Sequence, residues 1–310
     1  METACPAPVF ARKHIAYACA TLCCLLWGSS YPAIKNGYEL FHIATDDIPS
    51  KIVFAGYRFL FAGLVLLLFA LAQRKPIGRL SGRQFGQLTL LGLTQTSIQY
   101  AFFYIGLAFT TGVKGSIMNA TGTFFSVLLA HFIYQNDRLS YNKTIGCVLG
   151  FIGVMLVNFN HSLADFSFVW QGDGFVVLAA FILSAATLYG KRISQTVDPT
   201  VMTGWQLAIG GGALVAGGYL TGGHLAIEST TALAVLAYLV FLSSVAFALW
   251  SVLLKYNRVS MIAPFNFVIP VAGTVLSAIF LGENILELKY AVALVLVCSG
   301  IWWVNKVSKK

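Results

Sequence analysis

A chain of 310 residues with 58% hydrophobic and only 10% charged residues lacks the polar surface of a water-soluble domain, in which about 25% charged residues are usual. With a mean hydropathy of +0.78, a cytosolic enzyme is excluded. The formal charge of +9 does not point to nucleic acid either, because the 20 Lys and Arg are scattered through short loops and form no basic stripe.

Crossing the hydrocarbon takes about 20 apolar residues per helix, and ten stretches qualify: 14–34, 52–72, 88–109, 112–134, 144–157, 175–190, 201–220, 232–254, 261–281 and 290–304. Arg12 and Lys13 lead into the first of them with no small-residue cleavage site behind it, so that span is expected to be retained. The fifth and sixth stretches are short. The first is interrupted by Gly28 and Pro32, the ninth by Pro264 and Pro270, and helices broken at membrane depth line a cavity or pack on neighbours. The cysteines 5, 19, 23, 24, 147 and 298 follow no zinc or disulfide spacing, so neither a metal nor another cofactor is expected.

With the N-terminus in the cytoplasm, fifteen of the 20 Lys and Arg fall on cytoplasmic segments. Lys35, Lys51, Lys114 and Lys289 lie outside and Arg58 within the second span. That asymmetry places both termini in the cytoplasm. A shift of 147 lays the fourth and fifth spans on the ninth and tenth, pairing Asn119 with Asn266, Gly153 with Gly300 and Asn158 with Asn305. A shift of 148 lays Gly56-Tyr57-Arg58 on Gly204-Trp205-Gln206 and Gly63 on Gly211. Because five is odd, the two halves must be inverted in the membrane, the plan of secondary transporters. The expected fold is an all-α membrane protein of ten transmembrane helices, built as two inverted five-helix repeats over 14–158 and 172–305.

Trp27-Gly28-Ser29-Ser30-Tyr31-Pro32, Tyr57-Arg58-Phe59 and Leu281-Gly282-Glu283-Asn284 give the chain a likeness: it resembles the EamA-type ten-helix transporters of the drug/metabolite transporter superfamily. The resemblance covers residues 15–305. It implies a carrier of small organic metabolites in a bacterial inner membrane, with efflux as the family's habit. It also implies a cavity walled by the first four helices of each half, the fifth and tenth being peripheral. One departure is Asn136-Asp137-Arg138-Leu139 where such families often have Gly-Glu-Arg-Leu, so that Asp137 stands in for the carboxylate.

Arg58 is the most pointed candidate, since a guanidinium inside a span costs about 2.5–3.5 kcal/mol on insertion scales unless something satisfies it. It either clamps a carboxylate or phosphate of the solute or holds helix carbonyls and headgroups. Gln95 and Gln99 share a helical face, with Thr96 and Tyr100 beside it, and either glue helices or bind solute. Asn119 and Asn266 occupy matching positions, and Pro264 and Pro270 would free carbonyls around Asn266. Trp27 and Trp205, with Tyr31, Tyr57, Tyr189 and Trp250, could stack on an amphipathic or cationic solute, and Gln206 is the counterpart of Arg58. Substrate contacts are thus expected from Trp27, Arg58, Gln95, Gln99, Asn119, Trp205, Gln206 and Asn266, with helix breaks near the cavity at Pro32, Pro264 and Pro270.

Lys35 and Lys114 could add a positive outer vestibule, and His131 sits close to a span's end. All eleven acidic residues lie in loops or at helix ends, so a carboxylate proton relay has no support. Gly146, Gly150 and Gly153 make a seam for close helix approach, taken by the chain's own helices or, if the fifth helix is peripheral, by a second copy in a homodimer. The expected partners are otherwise a small-molecule solute and the lipid bilayer. The solute most in keeping with these residues is an amino acid or another zwitterionic or weakly anionic compound moved by alternating access. Uptake or exchange of phosphorylated or amphipathic drug-like solutes, and passive facilitation, remain the alternatives. An intramembrane enzyme would need a His, carboxylate or activated Ser constellation at depth, and none is visible.

Overall fold

The structure, a computed structural model, describes residues 9–110, 112–157, 168–226, 229–281 and 288–306. Among them all regular structure is helical, and ten helices follow one another. They are α1 (Lys13–Leu40), α2 (Ile48–Ala72), α3 (Gly82–Gly92, Leu93–Ile98 and Gln99–Phe109 in succession), α4 (Gly112–Ile133) and α5 (Tyr141–Val157). The second five are α6 (Trp170–Ile193), α7 (Pro199–Leu220), α8 (Thr230–Tyr256), α9 (Val259–Ile262, Ala263–Phe267 and Val268–Leu281) and α10 (Leu288–Asn305). Residues Gly282, Glu283, Asn284 and Asn158 and the side chains of Lys114 and Lys289 lie outside the described residues.

Helix starts follow from their caps. Asp47 accepts from the Ser50 amide at 3.0 Å and Asp198 from the Thr200 amide at 2.9 Å, each with a proline in the first turn. A reciprocal Ser81/Gln84 box opens α3 and Ser229 opens α8. By length and apolarity α2, α6 and α8 can cross a membrane, with shorter apolar helices elsewhere. Leu68 is 65% and Leu220 87% exposed on the bundle's surface, the apolar coat that only lipid covers without penalty.

The expected breaks fall partly elsewhere. α1 runs unbroken through Gly28 and Pro32: proline removes one rung and frees the Gly28 carbonyl, and packing on α8 and α9 holds the remaining rungs. In α9 the break is a 3₁₀ turn, Ala263–Phe267, that contains Pro264, whereas Pro270 lies within the α-helical part. An unanticipated π-helical segment, Leu93–Ile98, widens α3 at its run of polar residues.

The main packing joins the first five helices to the last five. α2 crosses α7, α5 packs on α10, α1 on α8 and α9, and α6 on α3 and α4. At the α2–α7 crossing the backbones touch. A Cβ on Gly63 would lie 2.3 Å from the Ala208 nitrogen and 2.6 Å from the Gly204 oxygen, and one on Gly211 would lie 2.3 Å from the Leu60 nitrogen and 2.8 Å from the Gly56 oxygen. The two descriptions are mirror statements of one contact, since Gly56 and Gly63 match Gly204 and Gly211. The seam of Gly146, Gly150 and Gly153 is filled inside the chain, by Val304 and Gly300 of α10, Phe267 of α9 and Val297 of α10 respectively.

A second tie uses charge. Asp137, 1% exposed in the turn after α4, pairs with Lys143 at 2.8 Å and accepts from the Ser260 amide at 3.0 Å and from the Ser260 hydroxyl. A first-half carboxylate thereby caps the start of α9. Burial alone would raise its pKa above 3.8, but the hydrogen bonds from Lys143 and Ser260 outweigh that and hold it below. Its native pKa being depressed, its contribution to stability is present above pH 3.8 and is lost as the pH falls through the lower native value.

Two outcomes follow. Gly63→Leu should overpack the α2–α7 crossing, costing about 1–3 kcal/mol or more and lowering the melting midpoint in detergent, while Gly212→Leu, whose Cβ meets nothing within 4 Å, should leave it unchanged. Asp137→Asn should cost about 3–5 kcal/mol by stranding buried Lys143, and its stability should fall less steeply than that of the wild type as the pH is taken below 3.8.

Candidate functional site

Between the two sets of five helices lies a cavity of about 230 Å³, just below the roughly 300 Å³ at which drug-sized pockets begin and therefore suited to a small solute. Its walls come from α1, α2, α3, α4, α6, α7, α8 and α9; among the described residues none comes from α5 or α10. One side is aromatic. Trp27 packs edge-on to Phe247 and Trp250 at 5.3 and 5.1 Å, and Tyr31, Tyr100, Phe103 and Tyr104 continue that wall. The lining also carries Asn119, Thr123, Ser126, Ser184 and Thr187.

Arg58 is 4% exposed. Its Nε donates to the Ser243 hydroxyl at 2.7 Å, and that hydroxyl is itself bonded to the Leu239 carbonyl. The guanidinium lies 5.1 Å from the Phe59 ring, within electrostatic reach of the Tyr38, Tyr100 and Tyr104 hydroxyls. Among the described residues no carboxylate pairs with it; the ion pairs are Lys75–Asp198 and Lys143–Asp137, both at helix ends. The two nitrogens beyond Nε therefore keep donors for something that enters the cavity. Two further buried polar atoms on the lining residues have no partner, the Trp27 indole nitrogen and the Gln99 side-chain oxygen. An unmatched donor and an unmatched acceptor in a dry site are each costly unless a ligand or water answers them.

The structure gathers Trp27, Arg58, Gln95, Gln99, Asn119, Asn266 and Pro270 around this one cavity. It does not bring Trp205, Gln206, Pro32 or Pro264 to the lining. Trp205 donates from its indole to the Ile77 carbonyl at 3.1 Å and packs on Phe85, so it anchors the connection that precedes α3. Gln206 is 2% exposed and donates to Thr96 at 2.9 Å, tying α7 to the π segment of α3. Arg58 ties α2 to α8 in the same way. The matched positions thus share a helix-joining role, and Arg58 alone adds a free charge.

Of the aromatic candidates, Tyr31 and Trp250 line the cavity. Tyr57 instead meets the Tyr219 hydroxyl at 3.2 Å, and Tyr189 packs with Leu88 and Leu91. His131 accepts from the Leu139 amide at 3.0 Å and shapes the turn after α4. Sequence reasoning missed Ser243, Tyr100 as a wall residue, Tyr104 and Lys191. Ser243 and Ser244 in an otherwise apolar helix were the available signal for the first of these.

A bundle with an apolar coat and a polar cavity between two sets of helices belongs to the class of integral membrane transporters, and its relatives fix the family. The chain belongs to the EamA-like transporter family, within the drug/metabolite transporter superfamily: the family profile matches residues 14–159 and again 170–306. It is 28% identical over 296 residues to a Salmonella typhimurium protein named "Probable amino-acid metabolite efflux pump", covering 91% of this chain and 92% of the relative. An uncharacterized transporter of Bacillus subtilis is 28% identical over 292 residues, covering 92% and 90%. A solved crystal structure shares the fold with a TM-score of 0.74 at 18% identity, over 92% of this chain and 95% of that one.

The unmatched indole donor gives a direct check. Trp27→Phe removes the orphan N–H, a relief of about 1–3 kcal/mol, together with part of the packing on Phe247 and Trp250, so the ligand-free protein should stay within about 1–3 kcal/mol of wild-type stability. If the indole answers a bound solute, the same variant should bind that solute more weakly.

Proposed function

We propose that the protein exports small zwitterionic or weakly anionic metabolites, amino acids and their relatives, by alternating access of two inverted five-helix halves at 14–158 and 172–305. The observation that carries the substrate class is Arg58: a buried guanidinium with unused donors, facing the cavity and with no carboxylate among the described residues to neutralise it. A solute carboxylate supplies the missing charge through the bidentate geometry that Arg favours. The Trp27 N–H offers another donor and the Gln99 oxygen an acceptor for an amino group, provided the helices that bury them shift when solute enters. Asn119 and Asn266, from matching helices, add amides that can bind either end of a zwitterion.

The reciprocal contacts support the inverted repeat. α2 meets α7 and α5 meets α10, while the α1 contacts with α8 and α9 are matched by those of α6 with α3 and α4. Under a five-helix shift each pair maps onto itself or onto its counterpart, as a two-fold relation requires. The distribution of Lys and Arg supports termini in the cytoplasm, and the bacterial relatives support an inner membrane. Efflux and amino acids have the additional support of the Salmonella relative's name. The aromatic wall favours one neighbouring reading, an amphipathic solute with an anionic end, handled by the same Arg58.

Thermal melting of the purified protein across amino acids, organic acids, phosphorylated metabolites and amphipathic cations tests the class, because a ligand bound only by the folded state raises the midpoint. Zwitterionic or anionic compounds should give saturable stabilisation, and the active ones should exchange in proteoliposomes. Arg58→Gln should abolish stabilisation and flux for carboxylate-bearing solutes and spare neutral ones. Equal loss for both would assign Arg58 to structure alone.

A further inference from the structure

A second chamber of about 410 Å³ lies at the end of the bundle where α4, α6 and α8 terminate. Its lining includes Lys191 and Arg192 from α6, Lys255 from α8, and Arg258 from the turn into α9, with Asp137 as the only carboxylate among the described residues. Asp137 is already spent on Lys143 and Ser260. Lys191 is engaged too: its ammonium donates to the Leu254 and Asn257 carbonyls at the end of α8 and lies 5.7 Å from the Tyr134 ring. Arg192, Lys255 and Arg258 have no side-chain hydrogen bond or ion pair among the described residues.

The chamber is not isolated. Lys191 lines both it and the central cavity, so one side chain forms part of the wall between them. Around Lys191 the wall is closed by the Tyr134 hydroxyl donating to the Leu188 carbonyl at 2.9 Å and by the Asn257 amide donating to the Leu253 carbonyl at 2.9 Å. Loop cations that only fix topology need no common focus. Here they come from two helix ends and a turn and converge on one concavity, which concentrates their field and raises the local concentration of anions.

We propose that this basic chamber is a second oxyanion site, an antechamber that takes the carboxylate or phosphate group of a small soluble anion and passes it to the central cavity when Lys191 releases the end of α8. The route rests on the transporter reading above; binding in the chamber does not. Arg192, Lys255 and Arg258 supply the donors, and the carbonyls that hold Lys191 give up that cation when the passing anion competes for it.

The probe is inorganic phosphate, titrated at constant ionic strength against the full-length protein in phosphatidylcholine nanodiscs and followed by melting midpoint. The wild type is expected to show a saturable rise, which distinguishes a site from the general stabilisation by excluded salts. The triple variant Arg192→Gln/Lys255→Gln/Arg258→Gln should raise the half-saturating concentration by about tenfold or more, and Arg58→Gln should leave it unchanged. A response absent from the wild type overturns the proposal. So does a response lost with Arg58→Gln and kept in the triple variant, which would move the phosphate to the central cavity. Repeating the titration with phosphatidylglycerol in the nanodisc separates the two sources of such a group: an unchanged half-saturation supports a soluble ligand, whereas loss of the response shows a lipid headgroup in the chamber and overturns the assignment. Because Arg58→Gln keeps the chamber intact, failure of the substrate reading and failure of this one give different patterns.

Discussion

The backbone contact of α2 with α7 is the constraint that the rest of the molecule obeys. In a membrane, lipid is as apolar as leucine, so helices gain little by hiding side chains from it and associate through close packing instead. Glycines seven residues apart on each helix, 56 and 63 against 204, 211 and 218, remove the side chains that would hold the two axes apart. That crossing brings the two halves together at their cores. α1 and α6 can then each pack on helices of the opposite half, and a cavity remains between them.

Within that frame the cavity holds an unbalanced charge. Placing a guanidinium at depth is unfavourable, and Ser243 and the Phe59 ring offset only part of the cost. A carboxylate from the protein would have neutralised Arg58 and made it a strut. The two described ion pairs sit instead at helix ends, where Lys75–Asp198 and Lys143–Asp137 lock turns. Among the described residues, the paired charges at helix ends and the carboxylate-free Arg58 in the cavity are thereby separated in space. Gln206, at the position matching Arg58, marks the difference: the same helix-joining bond is made to Thr96 with a neutral amide.

Much of this was legible in the letters. Apolar length and loop charge gave ten helices, and Gly56/Gly204 and Gly63/Gly211 were visible as equivalent pairs before their contact was known. Gln95, Gln99, Asn119 and Asn266 stood out because a polar residue in an apolar run needs a reason. The rest failed for identifiable causes. Polarity does not reveal direction, so Trp205 and Gln206 looked like cavity residues when the first is turned toward the connection before α3 and the second toward α3 itself. Proline marks a missing hydrogen bond without stating whether neighbours hold the helix straight, and α1 stays whole while α9 tightens into a 3₁₀ turn. The π segment of α3 depends on a single extra residue in one turn, which no periodicity over a short polar stretch resolves. Nothing in the letters sets Lys191 apart from the other cytoplasmic cations, because only the folded chain places the end of α8 beside it.

The pattern of contacts also says how such a chain must come into being. Each five-helix set makes its major contacts with the other set and few within itself. The first set emerging from the ribosome therefore has no finished interior: its glycine faces and Arg58 wait in the bilayer for partners encoded more than a hundred residues later, and Asp137, already paired with Lys143, waits for Ser260. The contacts between the two sets can be completed only once α6 to α10 are present. Until then the inserted helices depend on lipid, or on the insertion machinery, to shield surfaces designed for one another.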